Sequence, residues 1–350
     1  MLHRGKRQEL LIFLLIAPGV LLLHNISHAQ VTGIENQKAT SNPAPPQPDA
    51  LAEARFLLNA GQFNDAEKTL RQVLRTQPSS ADAHFLLGLV LFRDIQANVS
   101  REGRINRSFE EQNAKASLAE YTAGSKLRDP SALDLKIVAL DYVLLRDYVD
   151  ADKWLTKSVE LNPNDSEAWY YLGRAKYNEE RFPEAVHVFE ECLTRDPKNV
   201  KAEDNLGLSY AALGRRDEAI TAYQKAIAWQ SESLVKDSGP FVDLGMLLLD
   251  EDRPGDAVSY LSQAVAISPD ESRAHAGLGK AYSKLNKLAK AQDELETAIG
   301  LAPDNGALHY VLGQVYRKEG LMDKAKAEFD RSAQLNGSHS SPVTDLPVRP

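Results

Sequence analysis

The 350-residue chain holds a single cysteine, Cys192. One thiol cannot form an intrachain disulfide, and no cysteine-built zinc site can be assembled from it. Basic residues are also in deficit: 41 Lys and Arg against 49 Asp and Glu leave a formal net charge of −8. A broad nucleic-acid footprint needs clustered Lys and Arg, so nucleic acid is not an expected partner. Motifs that carry chemistry are missing as well. There is no Gly-Lys-Ser/Thr phosphate loop, no His-Glu-x-x-His zinc helix and no Gly-x-Ser-x-Gly nucleophile turn. Gly277-Leu278-Gly279-Lys280 is only an echo of a phosphate loop, inside a helical pattern. No catalytic residue, cofactor or metal site is therefore expected, and the chain reads as a non-enzyme. Apolar residues at 43% and charged residues at 26% still suffice for a folded core.

The apolar stretch Leu10 to Leu23 is 14 residues long, short of the roughly 20 that span a membrane. Arg4, Lys6 and Arg7 precede it, and Ser27-His28-Ala29 follows with small residues at the −3 and −1 positions of a cleavage site. Residues 1–29 read as a signal peptide, which predicts export to the periplasm or the exterior. The alternative is an uncleaved anchor that holds the chain to the membrane through residues 10–23, the sole membrane contact expected. Cleavage would remove three basic residues and Glu9, taking the net charge to −10. Residues 30–47 form a Pro-rich linker ending in Pro43, Pro45 and Pro46, and residues 338–350 read as a disordered tail.

The remainder repeats itself. A small residue recurs at Ala54, Gly88, Ala139, Gly173, Gly207, Gly245, Gly279 and Gly313, at spacings of 34 except for one of 51 and one of 38. A second small residue recurs at Ala66, Ser117, Ala151, Ala185, Ala219, Ala257, Ala291 and Ala325 with the same period of 34. The unit is thus 34 residues, with 17 extra in the second unit and four extra, Leu234 to Asp237, after the fifth. Each unit reads as two amphipathic helices. Trp169, Leu172 and Gly173 share one helix face, as do Ala185, Phe189 and Cys192. Pro78, Pro163, Pro197, Pro269 and Pro303 end the second helix, and Gly61, Gly214 and Gly320 mark the turn between the two. Glycine inside a helix costs about 1 kcal/mol relative to alanine, so its recurrence implies close helix approach. The expected contact is the alanine or serine twelve residues later, or twenty-nine later in the interrupted unit.

The pattern Trp-x-x-Leu-Gly, Ala-x-x-x-Phe and Pro, carried by Trp169, Leu172, Gly173, Ala185, Phe189 and Pro197, resembles the tetratricopeptide repeat. The sixth unit (Phe241, Leu244, Gly245, Ala257, Leu261, Ala264, Pro269) and the seventh (Leu278, Gly279, Tyr282, Ala291, Leu295, Ala298, Pro303) repeat it in register. The resemblance implies an all-α, right-handed superhelical solenoid of about eight helix-turn-helix units over residues 48–337. An insertion around 93–113 is expected to loop out on one face. It also implies a concave groove, lined by first helices, that binds a peptide or partner protein.

The groove positions are then Phe85, Leu89 and Phe92, followed by Lys136, Leu140 and Val143, and by Tyr170, Arg174 and Tyr177. Further along they are Leu208, Val242, Met246 and Leu249, and at the C-terminal end Arg273, Lys280, Lys284, Gln314 and Arg317. The candidate site is Phe85, Leu89, Lys136, Tyr170, Arg174, Tyr177, Met246, Lys280, Lys284 and Arg317, with apolar anchors in the middle and an acidic end of the partner near the last three. The competing reading is that the apolar members pack against neighbouring helices and the basic ones are a solvated face. His84, His275 and His309 occupy the large-residue position of their units and are expected to be half-buried packing residues, with Cys192 a core residue. The function expected is a protein-binding scaffold. The alternatives are an accessory, substrate-recruiting subunit of an enzyme such as a glycosyltransferase, or a structural part of an envelope or secretion assembly, with self-association left open.

Overall fold

The computed structural model describes residues 49–102, 106–231 and 233–338. The expected signal peptide, most of the expected tail and the Pro-rich linker lie outside them. The described residues form two compact units, divided between Pro130 and Ser131. The first unit holds two helical hairpins: α1 (Ala50–Asn59) with α2 (Phe63–Thr76), and α3 (Ala81–Glu102) with α4 (Arg107–Ser125). The second holds six: α5 (Ala132–Leu144) with α6 (Tyr148–Leu161), α7 (Ser166–Asn178) with α8 (Phe182–Arg195), and α9 (Val200–Ala212) with α10 (Arg216–Trp229). Then come α11 (Gly239–Asp250) with α12 (Pro254–Ile267), α13 (Ser272–Lys284) with α14 (Leu288–Leu301), and α15 (Gly306–Lys318) with α16 (Met322–Ser338). Within each unit every hairpin packs against the next, so the core is a continuous layer along the array.

Local chemistry sets the helix ends. Asp165 accepts from the Ala168 amide at 3.1 Å and Asn199 from the Ala202 amide at 2.9 Å, side-chain caps that satisfy free N–H groups. First helices close through a residue seven positions past the repeated small residue. That residue is left-handed in seven hairpins: Gly61, Arg146, Glu180, Gly214, Asp252, Asn286 and Gly320. The following amide reaches back to a carbonyl five residues earlier, as Arg215 N–H does to Tyr210 at 2.9 Å. Second helices stop before proline, with Gln77, Asn162, Asp196, Ser268 and Ala302 turned out of the helical region.

The mid-helix glycines meet the expected small residue in two hairpins, where the Ser117 hydroxyl donates to the Gly88 carbonyl at 3.0 Å and a methyl group on Gly279 would lie 3.3 Å from the Ala291 carbonyl oxygen, and in six hairpins they meet a second, larger residue more closely. A methyl group on Gly173 would lie 2.6 Å from the Phe189 ring, and one on Gly207 would lie 2.6 Å from the Tyr223 ring. Gly88 meets Tyr121, Gly245 meets Leu261, Gly279 meets Leu295 and Gly313 meets Phe329 in the same way. The tightest contact is therefore the large residue four positions beyond the expected alanine or serine. A helix face carries i and i+4 together, so the small residue leaves room and the next turn fills it.

The two insertions are accommodated in different ways, the first of them not as expected. The described residues of the 17-residue insertion are helical and do not form a loop: α3 runs on to Glu102 and α4 begins at Arg107. Ile95 on α3 and Ala114, just after the insertion on α4, are buried, so both added helical segments are anchored in the core. The four-residue insertion Leu234 to Asp237 does not lengthen α10, which ends at Trp229. Buried Gln230 closes it instead: its amide nitrogen donates to the Asp237 carbonyl at 3.0 Å, and its oxygen accepts from the Asp237 N–H at 2.6 Å.

Candidate partner-binding face

The first helices of residues 131–338 present positions three before, one after and four after the repeated small residue. On α7 these are Tyr170, Arg174 and Tyr177, all half-buried. The Tyr170 ring packs 6.2 Å from Phe189 and 5.2 Å from Tyr171, and the Arg174 guanidinium lies 5.8 Å from its centroid. Tyr177 packs edge-on to Phe182 at 5.3 Å. The tyrosines thus have one side anchored in the core.

Three carboxylates that sequence reasoning passed over lie beside them. Asp204 on α9 and Asp243 on α11 are buried, and Arg273 on α13 donates to Asp243. Asp237, held by the Gln230 staple, accepts from the Gly239 amide at 2.8 Å. Asp204 Oδ1 is buried with no hydrogen-bond partner. Burial pushes the Asp204 carboxyl well above the usual range; the charges of Asp243 and Asp237 add to this, and Arg273 opposes it. Burial raises Asp243 too, against the pull of Arg273. It raises the phenols of Tyr170 and Tyr177 as well. An aspartate on the apolar stripe of a repeat helix was the available signal.

The other predicted residues divide. Phe85 is buried in the first unit beside Tyr121, its ring covered by the Arg128 guanidinium at 4.7 Å, and half-buried Leu89 packs on the same unit's core. Both follow the packing reading. Lys136 is not open either. Its ammonium sits 2.8 Å from both Asp165 and Glu167, and although burial pulls its pKa down, those bonds leave it raised. Met246 is half-buried between α11 and α13, next to Gly277. Lys284 is paired with Asp252 at 2.8 Å. Lys280 makes no ion pair with a described residue, and burial pushes its ammonium down, with Asp250 opposing and Arg273 adding to the fall. Arg317 is exposed, 5.9 Å from the Phe329 ring.

The remaining singled-out residues are structural. Cys192 is buried, its Sγ bonded to the Ser166 carbonyl at 3.2 Å, and burial pushes the thiol up to about 12. Each packing histidine also carries a carboxylate and a carbonyl, as set out below. Among the described residues no group of three His, Cys, Asp or Glu side chains is placed to hold a metal ion.

A row of paired helices, small-against-large at each crossing and closed by proline, defines a helical-repeat scaffold. Tetratricopeptide repeat models match residues 51–94, 154–187, 172–233, 248–299 and 277–339. The chain belongs to the tetratricopeptide repeat family. It is 24% identical over 174 residues to tetratricopeptide repeat-containing protein trd-1 of Caenorhabditis elegans, covering 49% of this chain and 19% of that protein. It is 26% identical over 147 residues to protein O-mannosyl-transferase TMTC3 of Homo sapiens, 39% of this chain and 16% of the other. Against cytochrome c-type biogenesis protein CycH of Pseudomonas aeruginosa it is 27% identical over 135 residues, 35% and 30% of the two chains. The matched stretches thus span under a third of these relatives. Among solved structures, Cut9 in the APC/C hetero-tetramer Cut9-Hcn1 superposes with a TM-score of 0.57 at 17% identity, over 84% of this chain and 53% of that one. Pseudomonas aeruginosa PilF gives 0.53 at 17% identity, over 59% and 92%. These likenesses show the fold. Arrays of this kind offer extended surfaces to other proteins, and that is the general role the fold gives this chain.

Proposed function

We propose that the chain is a non-catalytic scaffold that holds a segment of a partner protein on the first-helix face of residues 131–338. Tyr170, Tyr177 and Met246 supply apolar contact, Arg174 supplies a polar one, and an acidic group of the partner meets Lys280 and Arg317. The observation that carries this reading is Lys280. It is a desolvated ammonium on that face that makes no ion pair with a described residue, with Asp250 acting on it only at longer range, and a partner's acid would supply one. The same reading has the chain exported, on the strength of Arg4, Lys6, Arg7, the Leu10–Leu23 stretch and Ala29.

Site-specific photocrosslinking tests the face. A crosslinker at Tyr177 should capture a partner that one at Ser262, exposed on α12, does not. Capture through Tyr177 should then fall about tenfold in Lys280→Glu and Arg174→Ala. Equal capture from both positions, or capture indifferent to both substitutions, overturns the reading. N-terminal sequencing of the mature chain tests export: a start at Gln30 supports cleavage, and an intact Met1 supports the anchor.

A further inference from the structure

The repeat register exposes an exception in the fifth hairpin. Four positions before the small residue, six of the other seven hairpins place a large side chain, His84, Leu135, Trp169, Phe241, His275 and His309, and the first hairpin, at the end of the array, has Ala50. Three of these are histidines with one arrangement. Nδ1 lies 2.7 Å from Glu120, Glu294 and Glu328 respectively, and Nε2 lies 3.1, 3.0 and 3.4 Å from the carbonyls of Pro78, Pro269 and Pro303. Trp169 donates to the Pro163 carbonyl at 2.9 Å from the same place. Each of these rings fills the space between its own two helices. In the fifth hairpin the ring is replaced by Glu203. The position of Glu294 and Glu328, 19 residues after their histidines, is taken by Ala222. A large ring and a long acid have been exchanged for one acid and a methyl group.

The space left is a cleft of about 540 Å³ between the second helices α8 and α10, over α9. None of the proposed partner-face residues lines it. Glu203 forms its floor and is 1% exposed. One carboxylate oxygen is held by Lys225 at 2.8 Å, and the other is buried with no partner. A buried carboxylate left half-satisfied is costly, so the position invites a second donor. Glu190, Asp217 and Glu218 stand around the cleft, with Lys225 as its one cation. Glu190 accepts from Tyr210 at 3.3 Å and Glu218 pairs with Arg215, which leaves an acid excess at Asp217 and Glu203. The Lys225 ammonium is half-exposed and also 5.1 Å from the Trp229 ring, an alternative resting place when it leaves Glu203.

We propose that this cleft receives the guanidinium of an arginine side chain carried by a partner protein. A bare metal ion does not suit it, because the described residues offer no three-ligand group and the volume far exceeds an ion. A long side chain with an apolar stem and a planar donor fork fits both features. The stem lies along Leu193, Leu206 and Ala222, and the fork reaches both oxygens of Glu203. Binding exchanges Lys225 for a bidentate partner and leaves the net charge of the filled cleft more nearly balanced.

The test titrates N-acetyl-arginine N-methylamide into the full chain, followed by amide shifts in transverse-relaxation-optimised NMR. Saturable shifts centred on Glu190, Glu203, Tyr210 and Asp217 are expected. The neutral isostere N-acetyl-citrulline N-methylamide should give none, and Glu203→Gln should weaken arginine binding about tenfold or more. The double variant Glu203→His with Ala222→Glu rebuilds the arrangement of the other hairpins, with the Pro197 carbonyl six residues before position 203 to receive the ring. It should fold with an unchanged or higher melting temperature and lose binding. Equal binding of the citrulline analogue, or by either variant, overturns the proposal, as do shifts centred elsewhere.

Discussion

Asp204 shows how one residue couples the partner-binding face to stability. Its carboxyl titrates well above the ordinary range in the folded chain, because burial disfavours the charged form and Asp243 and Asp237 add repulsion. The native state therefore holds the proton to higher pH than the unfolded chain does. Stability is full below the ordinary carboxylate pKa of about 3.9 and is lost as pH rises through the folded value. Asp204→Asn removes the charge but keeps the shape. We expect it to raise stability at pH 8 by about 1–3 kcal/mol, the cost of an unsatisfied buried group, and to change it little at pH 4. Urea melts at the two pH values check this; a variant less stable than wild type at pH 8 would show that the Asp204 charge is needed. The glycine contacts make a second residue-scale case. Gly173→Ala drives a methyl group into the Phe189 ring and should cost about 1–3 kcal/mol. The first and third hairpins already use alanine, and their residue 16 positions on is Leu70 or Leu155, both fully buried. Phe189→Leu should therefore recover part of the loss in the double variant. A double-mutant cycle measured by urea unfolding reads the coupling, and strict additivity would contradict the contact.

At the scale of elements, the helix pairs were legible and their fine contacts were not. The period of 34, the prolines and the interior glycines located each hairpin. The small residue expected beside glycine is there at Gly88 and Gly279, but the large residue one turn further on that packs most tightly was missed, because positions i and i+4 share a face and spacing alone does not separate them. The 17-residue insertion was misread for a related reason. Its charge suggested a loop, yet its described residues are helical and Ile95 is buried among them. On the candidate face, Tyr170, Arg174, Tyr177 and Lys280 were legible from the register. Asp204 and Asp243 were not, because an acid in a helix is ordinarily solvated and only its neighbours show that it is buried. The turns yield a prediction at this scale. Arg146 holds a left-handed backbone at φ 59°, in a position where three other hairpins use glycine. A side chain there costs about 1–2 kcal/mol, partly offset by the greater freedom glycine gives the unfolded chain. Arg146→Gly should therefore stabilise by up to about 1 kcal/mol in thermal or urea melts. Any loss would mean that the Arg146 side chain contributes more than its backbone strain removes.

At the scale of the molecule, a repeat array is held by what each hairpin does for the next. Leu261 is the clearest such link in residues 131–338. It is fully buried, and it fills the space against Gly245 of its own hairpin and against Gly277 of the next, where a methyl group would come within 2.9 Å of it. Leu261→Ala empties both contacts and should cost about 2–5 kcal/mol. Because the lost packing lies at a boundary, part of that cost falls on the coupling between the sixth and seventh hairpins. The chain offers its own reporter for this. All three tryptophans, Trp154, Trp169 and Trp229, lie before residue 261, so their fluorescence follows the third to fifth hairpins, while circular dichroism at 222 nm follows every helix. In wild type the two signals should share one urea transition across residues 131–338 if the hairpins unfold together. In Leu261→Ala the dichroism should begin to fall at lower urea than the tryptophan signal, as α13 to α16 come apart first. Coincident transitions in the variant, merely shifted to lower urea, would mean that the coupling passes through other contacts between α11, α12 and α13 and that Leu261 is only one of many equal links.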